Sequence, residues 1–385
     1  MKIIHTSDWH LGHSLYGYNR DEEQASMLSQ LEEIVRTHSP DALVVSGDIY
    51  HTGQPSAAIQ KLFTEAVMRI CAACPGLVTV ITAGNHDSAS RHEVSRILWE
   101  TQGVHMIGQA DNGNPGAQIV EVPGKGYIAA VPYLPERKIS EGFFGSLLDS
   151  VAERNAAGLP VVLSAHLAVG GSDFTGHDCA AGRMVGGMDC IDIGELGSGY
   201  DYAALGHIHR AQTLRGSGGR VRYSGAPVPV SFDEVYPHSV TLAEISGRGA
   251  LPKITEIPIE NPRPLVNLPS SGFARWEEVR ALAADFPRDN PAYIRLNVEV
   301  DDFLPPDAKA EALSALSGGM ARFCIINVRK SGGGSGGGKT MSVSEFRAAD
   351  PLDVVRLFAK DSGFELTPEL ESLFTEAEEE VRRGL

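Results

Sequence analysis

Residues able to bind a metal recur in this sequence immediately after short apolar runs. Asp8 and His10 follow Ile3–Ile4, and Asp48 follows Ala42–Val45. Asn85, His86 and Asp87 follow Val78–Ile81, His166 follows Val161–Leu163, and His207 and His209 follow Tyr202–Leu205. Taken singly each is ordinary: a lone Asp after a strand usually caps a turn, and a lone His is usually a satisfied core or surface group. Together they are hard to reach by chance, because open α/β sheets bind ligands at the carboxyl ends of their strands and a fold that aligns these runs gathers the residues. Imidazole, carboxylate and amide oxygen without thiolate suit Mn, Fe or Zn better than an all-oxygen Mg or Ca site. With His86 set aside, Asp8, His10, Asp48, Asn85, His166, His207 and His209 remain, too many for one ion. Two ions ~3.5–4 Å apart, sharing a bridging carboxylate, use them all and clamp the attacking and leaving oxygens of a phosphoryl transfer.

The elements that must position these residues follow from hydropathy. The apolar runs, joined by Ile128–Val131, read as buried strands. Ala25, Leu28, Leu31 and Val35 share one helical face; Ile59, Leu62, Phe63, Ala66, Val67 and Ile70 share another, and Ser90-x-x-Glu93 reads as a capping box opening a third helix. Strands alternating with helices predict an α/β core. From Pro262 to Lys330 the pattern changes to a helix near Trp276–Phe286, a strand Tyr293–Val300, a helix after Pro305–Pro306 and a strand Phe323–Val328. The expected division is a domain over 1–261, a small domain over 262–330, a Gly/Ser linker over 331–340 and tail helices over 341–385. The linker, SGGGSGGG, is regular enough to read as a replacement for a natural segment. In the tail, Leu352–Phe358 and the stripe Leu370, Leu373, Phe374, Ala377 and Val381 suit docking on another surface, with folding back on the chain's own domain as the competitor.

A chain of 385 residues with 42% hydrophobic and 21% charged residues is a soluble globular protein, not a disordered tail. No run approaches the ~20 apolar residues of a membrane span, and Met1–Ile4 is too short for a signal-peptide core. Five scattered cysteines make no disulfide framework, so a reducing, cytoplasmic setting is expected. Cys71 and Cys74 continue the apolar stripe of the second helix and read as buried structural thiols. The net charge of −16 argues against nucleic acid, whose binding normally leaves a basic footprint.

Against that charge stands a resemblance carried by the motifs. Asp8-Trp9-His10, Gly47-Asp48, Gly84-Asn85-His86-Asp87, His166 and Gly206-His207-Ile208-His209 resemble the ordered motifs of the calcineurin-like metallophosphoesterases. His5-Thr6-Ser7-Asp8-Trp9-His10-Leu11-Gly12 and Gly47-Asp48-Ile49-Tyr50-His51 are similar to those of the SbcD nucleases, bacterial counterparts of the eukaryotic double-strand-break repair nuclease. The resemblance implies a core of two packed mixed sheets flanked by helices, a small α+β capping domain and a C-terminal helical pair. It implies one metal held by Asp8, His10, Asp48 and His209, and another by Asp48, Asn85, His166 and His207, most readily Mn2+. His86 would stabilise charge or protonate the leaving oxygen, His51 would contact the substrate phosphate, and Asp87 is either an orienting group or a loop cap. It further implies DNA as substrate, cut as a double-strand exonuclease and hairpin endonuclease in repair and recombination. The partners implied are a second copy of the chain and an SbcC-like ATPase whose coiled-coil base the tail helices grip. Candidate DNA contacts are Tyr16, Tyr18, Arg20, Arg91, His92, Arg96 and Arg137-Lys138.

Gly333 to Thr340 formally satisfies the phosphate-loop pattern, with strand Phe323–Val328 upstream. A working phosphate loop runs straight into a helix, whereas Met341-Ser342-Val343-Ser344 is poor in helix formers, so the match is rejected. Two rivals to a nuclease remain at this level: a non-catalytic scaffold, which the intact ligand set disfavours, and a small-substrate phosphodiesterase, which has no evident need of the small domain and tail.

Overall fold

In the computed structural model, the first strands are buried on both faces, and alternate side chains feed two different cores. Ile3, Ala42 and Val44 pack into the layer between two sheets, while Ile4, Leu43 and Val45 pack outward onto helices. Burying each Val, Leu or Ile among them contributes about 1.5–3 kcal/mol. The structure describes residues 1–385 except 112–113, 136–138, 141, 177–189, 332–349, 362–365, 369 and 376–385.

The first half runs β1 (Lys2–Thr6), a hairpin of β2 (Ser14–Leu15) and β3 (Tyr18–Asn19), α1 (Asp21–His38), β4 (Ala42–Ser46), α2 (Ala57–Ala73), β5 (Val78–Thr82), α3 (Ala89–Val94), α4 (Arg96–Glu100) and β6 (Val104–Ile107). The second runs β7 (Ile119–Val122), β8 (Gly126–Val131), α5 (Phe143–Arg154), β9 (Val161–His166), the short pair β10 (Ala168–Val169) and β11 (Cys190–Ile191), β12 (Tyr202–Gly206), β13 (Gln212–Thr213) and β14 (Val221–Tyr223). β15 (Ser239–Glu244) and β16 (Lys253–Pro258) then return to the first sheet.

Two six-stranded mixed sheets result, ordered β16-β15-β1-β4-β5-β6 and β13-β14-β12-β9-β8-β7. β1, β4, β5 and β6 are mutually parallel, as are β8, β9, β12 and β14; the antiparallel pairings lie towards the edges. Helices α1 and α2 cover one outer face and α5 the other, giving a four-layer sandwich. Cys71 and Cys74 are half-buried at the rim of the α2 core, with Cys71 Sγ 3.8 Å from Thr79 Oγ1 and Cys74 Sγ 3.7 Å from the Pro40 carbonyl.

The small unit is built from β17 (Leu265–Leu268), α6 (Trp276–Ala284), β18 (Tyr293–Val300), α7 (Ala308–Leu316) and β19 (Arg322–Lys330). Its three strands are all parallel, so the expected α+β unit takes the form of two successive βαβ crossovers around its own apolar core. Further on, helix Pro351–Asp361 is followed by helical residues at 368 and 370–375, and Arg356 binds Glu371 across the pair. No helix among the described residues is long and apolar enough to cross a membrane.

Three expectations need correction. Ser90 does not cap the third helix: Ser88 precedes its first turn, the Glu93 carboxylate instead accepts from the amides of Gly108 and Gln109, and the segment is divided at Ser95 into α3 and α4. Arg20 is buried and donates to the Pro229 carbonyl at 2.6 Å, and His92 is buried beside Asp87, so neither presents a surface to DNA. Arg137-Lys138, the glycine linker with its phosphate-loop match, Ala377 and Val381 lie outside the described residues.

Candidate metal centre

Three loop segments leave β1, β4 and β5 at one end of the first sheet, and β9 and β12 end beside them in the second. Backbone bonds zip the first two loops together: Asp8 N to Gly47 O at 3.0 Å, His10 N to Asp48 O at 3.0 Å, and His51 N to Leu11 O at 3.0 Å. Across the sheets, Ser46 Oγ meets Ser164 Oγ at 3.0 Å and donates to Ala204 O at 2.9 Å. Glycine is required where the strand ends crowd together, across the two sheets at Gly47 and Gly206 and between neighbouring loops of one sheet at Gly84. A Cβ on Gly47, whose φ is +86°, would lie 2.2 Å from His166 Nδ1; on Gly84, 2.1 Å from Asp48 Oδ1; and on Gly206, 1.8 Å from Ser46 O. The Gly in each Gly-Asp, Gly-Asn and Gly-His pair therefore lets the next residue reach the centre.

All seven ligand-type residues converge. His10 Nε2 stands 3.2 Å from His209 Nε2 and 3.7 Å from Asp48 Oδ2. On the other side of Asp48, the same Oδ2 lies 3.4 Å from His166 Nε2, while Asn85 Oδ1 is 3.0 Å from both His166 Nε2 and His207 Nδ1. The donor atoms of Asp8, His10 and His209 lie within 4.8 Å of one another, as do those of Asp8, Asp48 and His166. Asp8, His10, Asp48 and His207 have φ of 54°, 45°, 52° and 99°, the left-handed region that non-glycine residues occupy at a cost of about 1–3 kcal/mol each. Such strain persists only where the surroundings hold it, here the zipped loops for Asp8, His10 and Asp48 and the Asp8 carboxylate, which accepts from the His207 amide, for His207.

Charge is arranged as a cation site requires. Burial alone pushes the Asp48 carboxyl up, but His166, then His10 and His86, outweigh it and hold it well below the usual carboxylate range. Burial raises the Asp8 carboxyl despite the imidazoles nearby. For His166, burial opposes protonation but the adjacent Asp48 prevails, lifting its pKa to about 9; for His209, burial is likewise overcome, by Glu234, and the value is again about 9. His10 is pushed well below the ordinary imidazole value, first by burial. Without a cation, protons on His166 and His209 balance the buried carboxylates. The donor set fits divalent ions: each imidazole with a fixed Nδ1 presents Nε2 inward, as His166 does by donating from Nδ1 to Ser46 O at 2.8 Å.

The remaining expected residues fall into distinct places. The His86 amide donates to Asp48 Oδ1 at 2.8 Å, its Nδ1 lies 2.9 Å from the His51 carbonyl, and its ring stacks on His51. His51 Nδ1 is 3.5 Å from His10 Nδ1. Of the two readings of Asp87, the structure selects the loop anchor, since its carboxylate accepts from the amides of Ile49, Tyr50 and Gly84 at 3.1, 2.9 and 2.8 Å. Tyr16 is half-exposed at the hairpin turn, and Tyr18 donates its hydroxyl to Phe323 O at 3.0 Å. The sequence reading missed Glu234, His13, whose ring centroid is 4.6 Å from that of His51, and Tyr133, beside His166 and His207. Only His13 carried a signal, standing directly after the first motif, three residues past His10.

Comparison with known proteins agrees with this geometry. Residues 1–211 match the calcineurin-like phosphoesterase family. The chain is 34% identical over 334 residues to the SbcD component of the SbcCD nuclease of Rhodobacter capsulatus, covering 78% of this chain and 81% of that protein. It is 31% identical over 331 residues to the protein of the same name in Bacillus subtilis, covering 79% and 80%, and 29% identical over 332 residues to that of Escherichia coli K12, covering 79% of each. With its two-sheet sandwich and its donor cluster at the strand ends, the chain belongs to the calcineurin-like phosphoesterases and, within them, to the SbcD nucleases, metal-dependent hydrolases.

Proposed function

We propose that this protein hydrolyses DNA phosphodiester bonds with two Mn2+ ions, one held by Asp8, His10, Asp48 and His209 and the other by Asp48, Asn85, His166 and His207. The observation that carries the reading is the position of Asp48, whose Oδ2 faces His10 on one side and His166 on the other, as a bridging carboxylate must. The ions would polarise the phosphodiester and lower the pKa of water from about 15.7 towards ~7. His86, tied to the bridging carboxylate through its amide, stabilises the charge developing on the phosphate or gives a proton to the leaving oxygen as the P–O bond breaks. His51, stacked on His86, contacts the substrate phosphate. Double-stranded ends and hairpins are the intended DNA, in repair and recombination in the cytoplasm.

Residues 1–261 form the nuclease domain and 262–330 the capping domain, with 331–340 as linker. The tail helices of 341–385 bind an SbcC-like ATPase: Leu370 and Leu373 are 40% and 61% exposed on one helical face, suited to a coiled-coil base. A second copy of this chain docks on α2 and α3–α4, where Val94, Ile97 and Leu98 are 86%, 78% and 72% exposed beside a cleft of about 430 Å³ lined by Phe63, Met68 and Trp99. Of the charged DNA contacts among the described residues, Arg91 is exposed and Arg96 is half-buried, paired with Glu93 and Glu100.

The test is Mn2+ titration of the purified chain paired with cleavage of a double-stranded DNA. Two ions per chain and cleavage that stops in chelator are expected; one ion at saturation, or undiminished cleavage in chelator, refutes the assignment.

A further inference from the structure

Behind His209 stands a carboxylate that belongs to none of the motifs. Glu234 lies on the segment between β14 and β15, is only 6% exposed, and its Oε1 accepts from His209 Nδ1 at 3.0 Å and from the Val230 amide at 3.3 Å. A buried carboxylate costs several kcal/mol unless it is paired, and the imidazole is the near partner of this one. The bond is informative about the imidazole too. A carboxylate accepts only, so Nδ1 carries a hydrogen and Nε2, 3.2 Å from His10 Nε2, is the nitrogen left to give its lone pair to an ion once its own proton has gone. His166 is fixed differently, since its Nδ1 donates to the uncharged Ser46 carbonyl. The two halves of the centre therefore differ: one imidazole is backed by an anion and the other by a neutral oxygen.

The segment carrying Glu234 is gripped from the small unit. Phe232 O accepts from Asn267 Nδ2 at 3.2 Å and from Arg295 Nη2 at 3.3 Å, and Asp233 pairs with Arg295 at 2.7 Å. Asn267 lies on β17 and Arg295 on β18. Arg20 holds the same segment from the first domain through the Pro229 carbonyl. Two residues of the small sheet thus fix the two positions directly before Glu234.

We propose that Glu234 is a positioning residue of the metal centre. It holds His209 in the Nδ1–H tautomer with Nε2 inward, strengthens that imidazole as a ligand, and owes its own placement to Arg295 and Asn267 of the small unit. The proposal rests on the assignment of His209 as a ligand given above. Removal of such a partner behind a ligating histidine typically weakens metal binding 10–100-fold. The change is confined to the ion that His209 holds, because His166 has a separate anchor.

The experiment is Mn2+ titration of the full chain by calorimetry, with electron paramagnetic resonance counting coupled and lone ions. Wild type, Glu234→Ala, Glu234→Gln, Arg295→Met and His209→Ala are compared, together with thermal unfolding of each metal-free form. In Glu234→Ala one dissociation constant rises 10–100-fold, the other changes less than about threefold, and the lone-ion signal grows. Glu234→Gln, whose amide oxygen still accepts from Nδ1–H, recovers part of the loss, and Arg295→Met shows a smaller loss at the same ion. Unchanged affinities in Glu234→Ala overturn the proposal, as does an equal loss at both ions with lowered metal-free stability, which marks a general structural role. Unchanged binding in Arg295→Met overturns the part assigned to the small unit. If His209→Ala keeps both ions at wild-type affinity, it is the ligand assignment that fails, separately from Glu234.

Discussion

Metal binding to this centre should grow tighter as pH rises from 7 to 9, because each half must release a proton before it can accept an ion. His166 and His209, one in each half, have pKa values near 9, His166 through Asp48 and His209 through Glu234, both against the effect of burial. At pH 7 each is about two units below its pKa, so deprotonation costs roughly 3 kcal/mol at 1.36 kcal/mol per unit. Apparent affinity for each ion should therefore rise about tenfold per pH unit and level off above pH 9. The sign is opposite for the metal-free fold: a pKa raised above the unfolded value of 6.5 adds stability that is full below pH 6.5 and lost as pH passes through 9. Calorimetric titration with Mn2+ in buffers of different ionisation enthalpy gives both the affinity and the proton count. Affinity that is flat between pH 7 and 9, or no proton release at pH 7, refutes the picture of protons standing where cations belong.

Three further outcomes are expected. His86→Ala should abolish DNA cleavage while metal content stays near normal, whereas Asp48→Ala should lose both ions; cleavage assays and metal analysis of the same preparations separate the two roles. Burial first, then Arg222, lowers His5 to about 3, so the unfolded chain binds the extra proton between pH 6.5 and 3 and stability falls as pH drops through that window, by roughly 2 kcal/mol at pH 5; urea unfolding of wild type against His5→Asn measures it. Deleting residues 341–385 should leave metal binding and the unfolding midpoint intact yet abolish co-purification with an SbcC-like ATPase; unchanged capture, or a large loss of stability, would show the helices packing on their own domain.

The core was legible because buried parallel strands write themselves as short apolar runs. Ala42–Val45, with Ala42 and Val44 facing the second sheet and Leu43 and Val45 facing helices, has no polar face to blur the signal. The third helix was misread because Ser90 and Glu93 have the spacing of a capping box, yet Glu93 has a better use: two amides beyond β6 lack partners, and its carboxylate supplies them. Arg20 and His92 were read as surface groups from type alone. Arg20 instead holds a carbonyl 209 residues away, a contact invisible to local pattern.

The same distinction explains the site. Its seven ligand-type residues were visible because each stands at a strand end or a few residues beyond it, where local sequence and position in the fold coincide. Their glycine neighbours complete the code, since a Cβ on Gly47 or Gly206 would strike the facing sheet and one on Gly84 would strike Asp48 in the neighbouring loop. Glu234 follows no strand and belongs to no motif; it reaches His209 across 25 residues on a segment fixed by side chains from the small unit. A short motif can announce the atoms that touch an ion, because their spacing is dictated by one strand end. The groups that orient those atoms answer only to the tertiary fold, so a sequence that declares its ligands can conceal what holds them in place.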